Sequence, residues 1–325
     1  MLGGRHIDPH VHCRDWDWSY KATIKSVMDI ARSQGVSAIF DMPNTSPAIT
    51  TAELVKRRLD TAREEGCLEG YYFYVGLTGD PEQAREAARL VEANDKVVGL
   101  KLVAGKSVGA LRTEGEEKQK MVYEALAGAG YTGVVAVHAE KEAYFHMDLW
   151  NPELPYTWNL VRPPESEIES VKDQIKFAKE AGFKGTLHIC HVSTPETVRI
   201  VNEAKSSIKV VCGVTPHHVT YSTSDMRGPE SVAYKVNPPL RDPKMVRKLR
   251  ELLYQGKIDW IETDHAPHSR EEKSYVPNGA FMSGIQSLNS YARFLQDLQA
   301  GGMSGEQIER LTYTNIKKVF TKVIE

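Results

Sequence analysis

The chain has no stretch of 18 consecutive apolar residues, so no membrane-spanning helix is expected. Its first residues, MLGGRHIDPH, lack the apolar run and small-residue cleavage site of a secretory leader. Cysteine is scarce: Cys13, Cys67, Cys190 and Cys212 stand alone, with no C-x-x-C pair and no disulfide-like spacing. That usage fits a reducing compartment, and a soluble, cytoplasmic protein is expected. Charge of one sign is missing too, since 41 Lys plus Arg stand against 43 Asp plus Glu, a formal net charge of −2. Neither nucleic acid nor an anionic membrane is therefore an expected partner.

What is present is a regular alternation. Eight short runs rich in apolar and β-branched residues read as strands: HIDPHVH, SAIFDMPN, YYFYVGLT, VVGLKLVA, VVAVHAE, TLHICHV, IKVVCGVTPHH and DWIETDHAP. Between and after them lie eight amphipathic segments with apolar residues at three- and four-residue intervals, several of them stopping at glycine. Eight βα units are the count for an α/β protein of the (β/α)8 or TIM-barrel type, spanning residues 1–325 as one domain; a doubly wound open sheet is the runner-up. The segment GEQIERLTYTNIKKVFTKVIE reads as one or two closing helices on the outside.

Chemistry in such a barrel sits at the C-terminal ends of the strands. Strand 1 places His10 and His12 there, and strand 2 runs into Asn44. Strand 4 carries Lys101, strand 5 His138, strand 6 His191, strand 7 His217 and His218, and strand 8 Asp264, His265 and His268. Of the 11 histidines, only His6, His146 and His188 fall elsewhere, and His188 is expected on the opposite strand face from His191, in the core or behind a ligand. Residues two apart on a strand point the same way, so His10 and His12 can share one cation. Alone, an H-x-H reads as two satisfied strand histidines. With His138, His191 and Asp264 on other strands it reads as a metal site, and imidazole suits zinc and related divalent ions.

Lys101, flanked by Leu100, Leu102 and Val103, is costly to bury as an ammonium. A neutral amine there can form a Schiff base with a carbonyl substrate or add carbon dioxide to give a carbamate that bridges two metals; a lysine that merely reaches the rim is the plain alternative. The histidine cage favours the carbamate. Cys13, Cys190 and Cys212 are expected to act as small buried hydrophobes.

The motifs DPHVHCRD, DMPNT, KLVAG, VHAE, HVST, TPHH, KVNPPLRD and TDHAPHSREEK, in this order over nearly the whole length, resemble those of the amidohydrolase superfamily and, within it, the dihydroorotases. The resemblance implies two Zn2+ ions per subunit. His10, His12 and Asp264 would hold one, His138 and His191 the other, and carboxylated Lys101 would bridge them. Asp264 would serve as general base and then general acid. The D-D-G motif that many dihydroorotases carry between strands 4 and 5 is missing, which supports Lys101 as the bridge the resemblance implies, and the small β-sandwich of many relatives is expected to be largely absent.

The resemblance also implies a substrate: dihydroorotate, made reversibly from N-carbamoyl-aspartate in pyrimidine biosynthesis. Arg14, two places beyond His12, matches the ring carboxylate as a bidentate fork. Asn44 and His268 resemble the other carboxylate contacts, and Asn237 would meet the ring. Hydantoinase- or allantoinase-like relatives typically lack the arginine, so a cyclic amidase of that kind is the second reading. A catalytically silent scaffold is the third, and it conflicts with six filled ligand positions. Self-association and docking to aspartate transcarbamoylase are the partner expectations.

Overall fold

The computed structural model describes residues 5–107, 111–274 and 281–323. Eight strands form one parallel sheet in sequential order: β1 (His6–Val11), β2 (Val36–Asp41), β3 (Tyr71–Gly76), β4 (Val97–Ala104), β5 (Val134–Ala139), β6 (Thr186–Ile189), β7 (Val210–Val214) and β8 (Trp260–Ile261). A single bridge from Val11 to His265 brings β1 back to the chain beyond β8, so the barrel is nearly closed. The alternating helices are α1 (Ile24–Ser33), α2 (Ala52–Glu64), α3 (Pro81–Glu92), α4 (Glu116–Gly128), α5 (Pro164–Glu180), α6 (Pro195–Ala204), α7 (Pro243–Tyr254) and α8 (Tyr291–Ala300). All eight strands and all eight helices fall where the pattern predicts them.

Local chemistry starts and stops these helices. Thr23 and Ser26 form a reciprocal capping box on α1, while Asp80 and Asp242 accept two backbone N–H groups each ahead of a proline at the first helical position. Gly35 and Gly182, at φ 79° and 67°, end α1 and α5 in the left-handed conformation. β3, β4 and β5 are buried along their entire length, as strands covered on both faces must be.

The core has two layers. One lies between strands and helices; the other fills the barrel and contains Ile7, Phe40, Tyr72, Tyr74 and Trp260. The tail corrects an expectation. Two short helices, α9 (Gly305–Glu309) and α10 (Asn315–Val319), flank one π-turn (Arg310–Thr314), and the chain then turns inward instead of staying outside. Ile316, Phe320 and Val323 pack into the barrel's inner core, with the Phe320 ring 4.9 Å from Phe40 and 5.9 Å from Trp260. A barrel lined with large aromatics needs apolar cover at its open floor, and this tail supplies it.

Candidate metal centre

The opposite mouth carries the polar residues. Strand alternation points Trp260, Glu262 and Asp264 inward while Ile261 joins the outer core and Thr263 binds Asp8. In β1 the ladder slips between Asp8 and Val11, which face Ile39 and Asp41 of β2. This bulge, at Pro9, shifts the phase so that Ile7 faces the core below while His10 and His12 reach the site above.

Among the described residues, the non-glycine residues with positive φ are Arg14, Asp15, Trp16, His191 and Asp264. L-residues adopt this region at a cost, and three of them, Arg14, His191 and Asp264, line one cavity. Strand β6 shows the effect: Cys190 faces the inner core, and the left-handed turn at His191 (φ 38°) brings the next side chain to the same cavity. The expectation that His188 faces away from His191 is thereby corrected. His188 packs 4.6 Å from the Trp260 ring, and its Nε2 is 2.8 Å from Glu262.

Nine of the ten predicted site residues line one cavity: His10, His12, Arg14, Asn44, Lys101, His138, His191, Asn237 and Asp264. The tenth, His268, lies beside it, with Nε2 3.3 Å from Arg14 Nη2 and 3.1 Å from the Ser283 carbonyl. Asp264 Oδ1 lies 3.3 Å from His10 Nε2 and 3.0 Å from His12 Nε2, and all three offer donors within 4.8 Å of one another. On the other side, His138 Nδ1 is 3.2 Å from His191 Nε2. The Glu140 carboxylate accepts from His138 Nε2 at 2.9 Å and is itself paired to Arg162, so Nδ1 is left as the lone pair facing the cavity. Lys101, 2% exposed, donates to Cys190 Sγ at 3.4 Å. Cys190 is thus more than a small apolar filler.

The electrostatics fit a cation. Burial lowers His12 to about 4 and His191 well below its ordinary value, so both rings are neutral, the form in which an imidazole can ligate a cation. Burial alone would raise the Asp264 carboxyl, yet His10 and His12 hold it well below the carboxylate range. At His10 burial and Lys101 oppose a positive charge, but Asp264 and Cys190 outweigh them and push it up to about 9. Among the described residues His12 Nδ1 and His191 Nδ1 are buried ring nitrogens without a hydrogen-bond partner, further acceptors in a donor set of imidazole and carboxylate that suits zinc.

Arg14 occupies a built loop. Arg58, fully buried, bridges Asp15 at 2.7 Å and Asp41 at 2.5 Å; Asp15 also accepts the Ile24 N–H, and Asp41 the Cys13 N–H. This network holds the three left-handed residues 14–16. Arg14 Nε donates to the Pro267 carbonyl at 3.2 Å, and among the described residues no carboxylate lies within ion-pair distance of its guanidinium. Across the cavity Asn237 Oδ1 accepts the Trp158 indole N–H at 3.0 Å. Two carboxylates went unnoticed in the sequence: Glu140 and Glu262. Each sits two places from a predicted ligand, His138 and Asp264, and so on the same strand face.

An eight-stranded barrel with histidines, a carboxylate and a buried lysine converging at its C-terminal mouth is the architecture of the amidohydrolase class. No protein-family model matches the chain. It is 31% identical over 326 residues to a dihydroorotase of Lactobacillus gasseri, covering 97% of this chain and 72% of that protein. A solved L-hydantoinase (dihydropyrimidinase) from Arthrobacter aurescens superposes with a TM-score of 0.84 at 25% identity, over 98% of this chain and 72% of its own. A Saccharomyces cerevisiae dihydroorotase in complex with 5-fluoroorotic acid gives 0.79 at 18% identity, over 100% and 85%, a likeness of fold. The chain belongs to the dihydroorotase family. It spans about two thirds of the length of the curated dihydroorotases it matches. Among the described residues no helix is long and apolar enough to cross a membrane.

Proposed function

We propose that the protein interconverts dihydroorotate and N-carbamoyl-aspartate, opening or closing the ring amide in pyrimidine biosynthesis. His10, His12 and Asp264 would hold one zinc ion and His138 and His191 a second, with Lys101 joining them as a carbamate formed when Nζ adds carbon dioxide and releases a proton. The ions would polarise the ring carbonyl and lower the pKa of the attacking water. Asp264, ionised because His10 and His12 hold its carboxyl low, takes the proton from that water. As the C–N bond breaks, the same oxygen returns the proton to the departing ring nitrogen. Ring closure runs these transfers backwards.

The observation that carries the substrate is Arg14. This guanidinium is 2% exposed, lines the cavity and, among the described residues, has no carboxylate within ion-pair distance; Asp264, Asp41 and Glu272 act on it only from further away. Burial lowers it to about 10. A ligand carboxylate would complete it through paired N–H···O bonds, and dihydroorotate has that group where hydantoin and dihydropyrimidine rings have none. Asn44 and His268 would share the carboxylate, and Asn237, held by Trp158, would face the ring. The family resemblance adds a cytoplasmic setting, self-association and docking to aspartate transcarbamoylase, which size-exclusion chromatography with and without that enzyme checks.

The L-hydantoinase likeness supports the rival ring. Assays of the zinc-loaded protein with dihydroorotate, N-carbamoyl-aspartate, hydantoin and allantoin separate the two. Turnover of the first pair at the higher kcat/KM is expected; turnover of hydantoin alone would overturn the assignment.

A further inference from the structure

One carboxylate stands behind both halves of the centre. Glu262 is fully buried, and its Oε1 accepts the backbone N–H of His191 at 2.5 Å while facing His10 Nδ1 at 3.5 Å. Its Oε2 accepts the Trp260 indole N–H at 2.8 Å and lies 2.8 Å from His188 Nε2. Space for it is reserved: a Cβ on Gly213 of β7 would fall 2.3 Å from Oε2 and 2.7 Å from Trp260 Nε1. His10 and His191 are read here as ligands of different ions, so the inference rests on that reading.

We propose that Glu262 is a positioning residue that couples the two halves of the metal centre. Through Oε1 it secures the peptide of the left-handed His191, where the chain is strained. On the other side it favours the proton on His10 Nδ1, which leaves Nε2, the nitrogen facing Asp264 and His12, as the ligand lone pair. Carboxylates behind ligating histidines fix tautomer and ring orientation and raise ligand basicity. Trp260 and His188 hold Oε2 and so fix the direction of Oε1. Because Trp260 also packs on Phe320, the tail that covers the barrel floor reaches the site through three side chains. His10, Cys190 and Glu262 also offer donors within 4.8 Å, so direct ligation by Glu262 is the competing role.

The test uses the full chain with Glu262→Gln and Trp260→Phe, and reads zinc affinity by chelator competition, zinc stoichiometry at saturation and the visible spectrum of the cobalt-substituted protein. Positioning predicts that E262Q still binds two ions but about 10- to 100-fold more weakly, with an altered cobalt spectrum. W260F, which keeps the carboxylate and loses one of its donors, should show a smaller loss in the same direction at unchanged stoichiometry. An unchanged affinity in E262Q overturns the proposal, and so does a saturating stoichiometry lowered by one ion, which would make Glu262 a ligand. If circular dichroism shows E262Q unfolded, W260F decides, and wild-type affinity there overturns it. Wild-type protein that takes up no zinc would instead remove the underlying metal reading.

Discussion

His12 and Asp264 meet across the seam of the barrel, Nε2 of one lying 3.0 Å from Oδ1 of the other, 252 residues later in the chain. The His12 N–H donates to the His265 carbonyl at 2.9 Å on the same seam. The place where the sheet closes is therefore also the place where a cation would be held. A ligand that binds only the folded form adds stability in proportion to the logarithm of its excess, about 2.7 kcal/mol at 100 times Kd. Zinc should raise the melting temperature of chelator-treated protein, and a His12→Ala variant should lose that response. Equal melting temperatures with and without zinc would separate the seam from the metal.

In the proposed centre Lys101 would carry the bridge. Lys101→Ala should give a folded protein that retains less zinc, with activity reduced by more than the roughly 10- to 100-fold that residues behind a ligand cost. Small carboxylic acids that stand in for the carbamate should restore part of it. Wild-type-like turnover by the variant would remove Lys101 from the reaction.

In the proposed function Arg14 would carry the choice of ring. Hydrogen bonds to charged groups contribute about 1.5–3 kcal/mol, so Arg14→Met should lower kcat/KM for dihydroorotate about 10- to 100-fold. Any activity toward hydantoin, which has no carboxylate to lose, should change far less. Equal losses on both rings would mean that Arg14 serves the loop and not the substrate.

Acidity should tune cation binding through His10, which stands at about 9 because Asp264 and Cys190 outweigh burial and Lys101. A ring at that value would hold a proton at neutral pH, and a cation bound through His10 would have to displace it. Lowering the pH strengthens that competitor, and raising it removes it. Zinc affinity should therefore rise about tenfold per pH unit toward 9 and level off above. His12, at about 4, adds no competition above that range. Calorimetry in buffers of different ionisation enthalpy would detect the released proton; an affinity flat from pH 6 to 9 would contradict the charge balance.

Much of this was legible in the sequence because barrel strands carry their message at their ends. His10, His12, Lys101, His138, His191 and Asp264 were found by asking which polar residues end apolar runs. Backbone irregularity hid the rest. The left-handed turn at His191 breaks the two-residue alternation, so His188 shares a face with His191 instead of opposing it, while its place in the core behind the site is the expected one. Glu262 and Glu140 followed that alternation and were still passed over, since a lone carboxylate in a strand looks like surface until its neighbours are known. The floor of the barrel was missed for another reason: an amphipathic tail packs equally well on a helix layer or into a barrel end, and only three-dimensional closure decides.

The central claim is tested most directly by a crystal structure of zinc-loaded protein with anomalous data at the zinc edge. Two anomalous peaks are predicted, one among His10, His12 and Asp264 and one beside His138 and His191, joined by density for a carboxylated Lys101. A cavity with no anomalous peak and a free Lys101 amine would contradict the account.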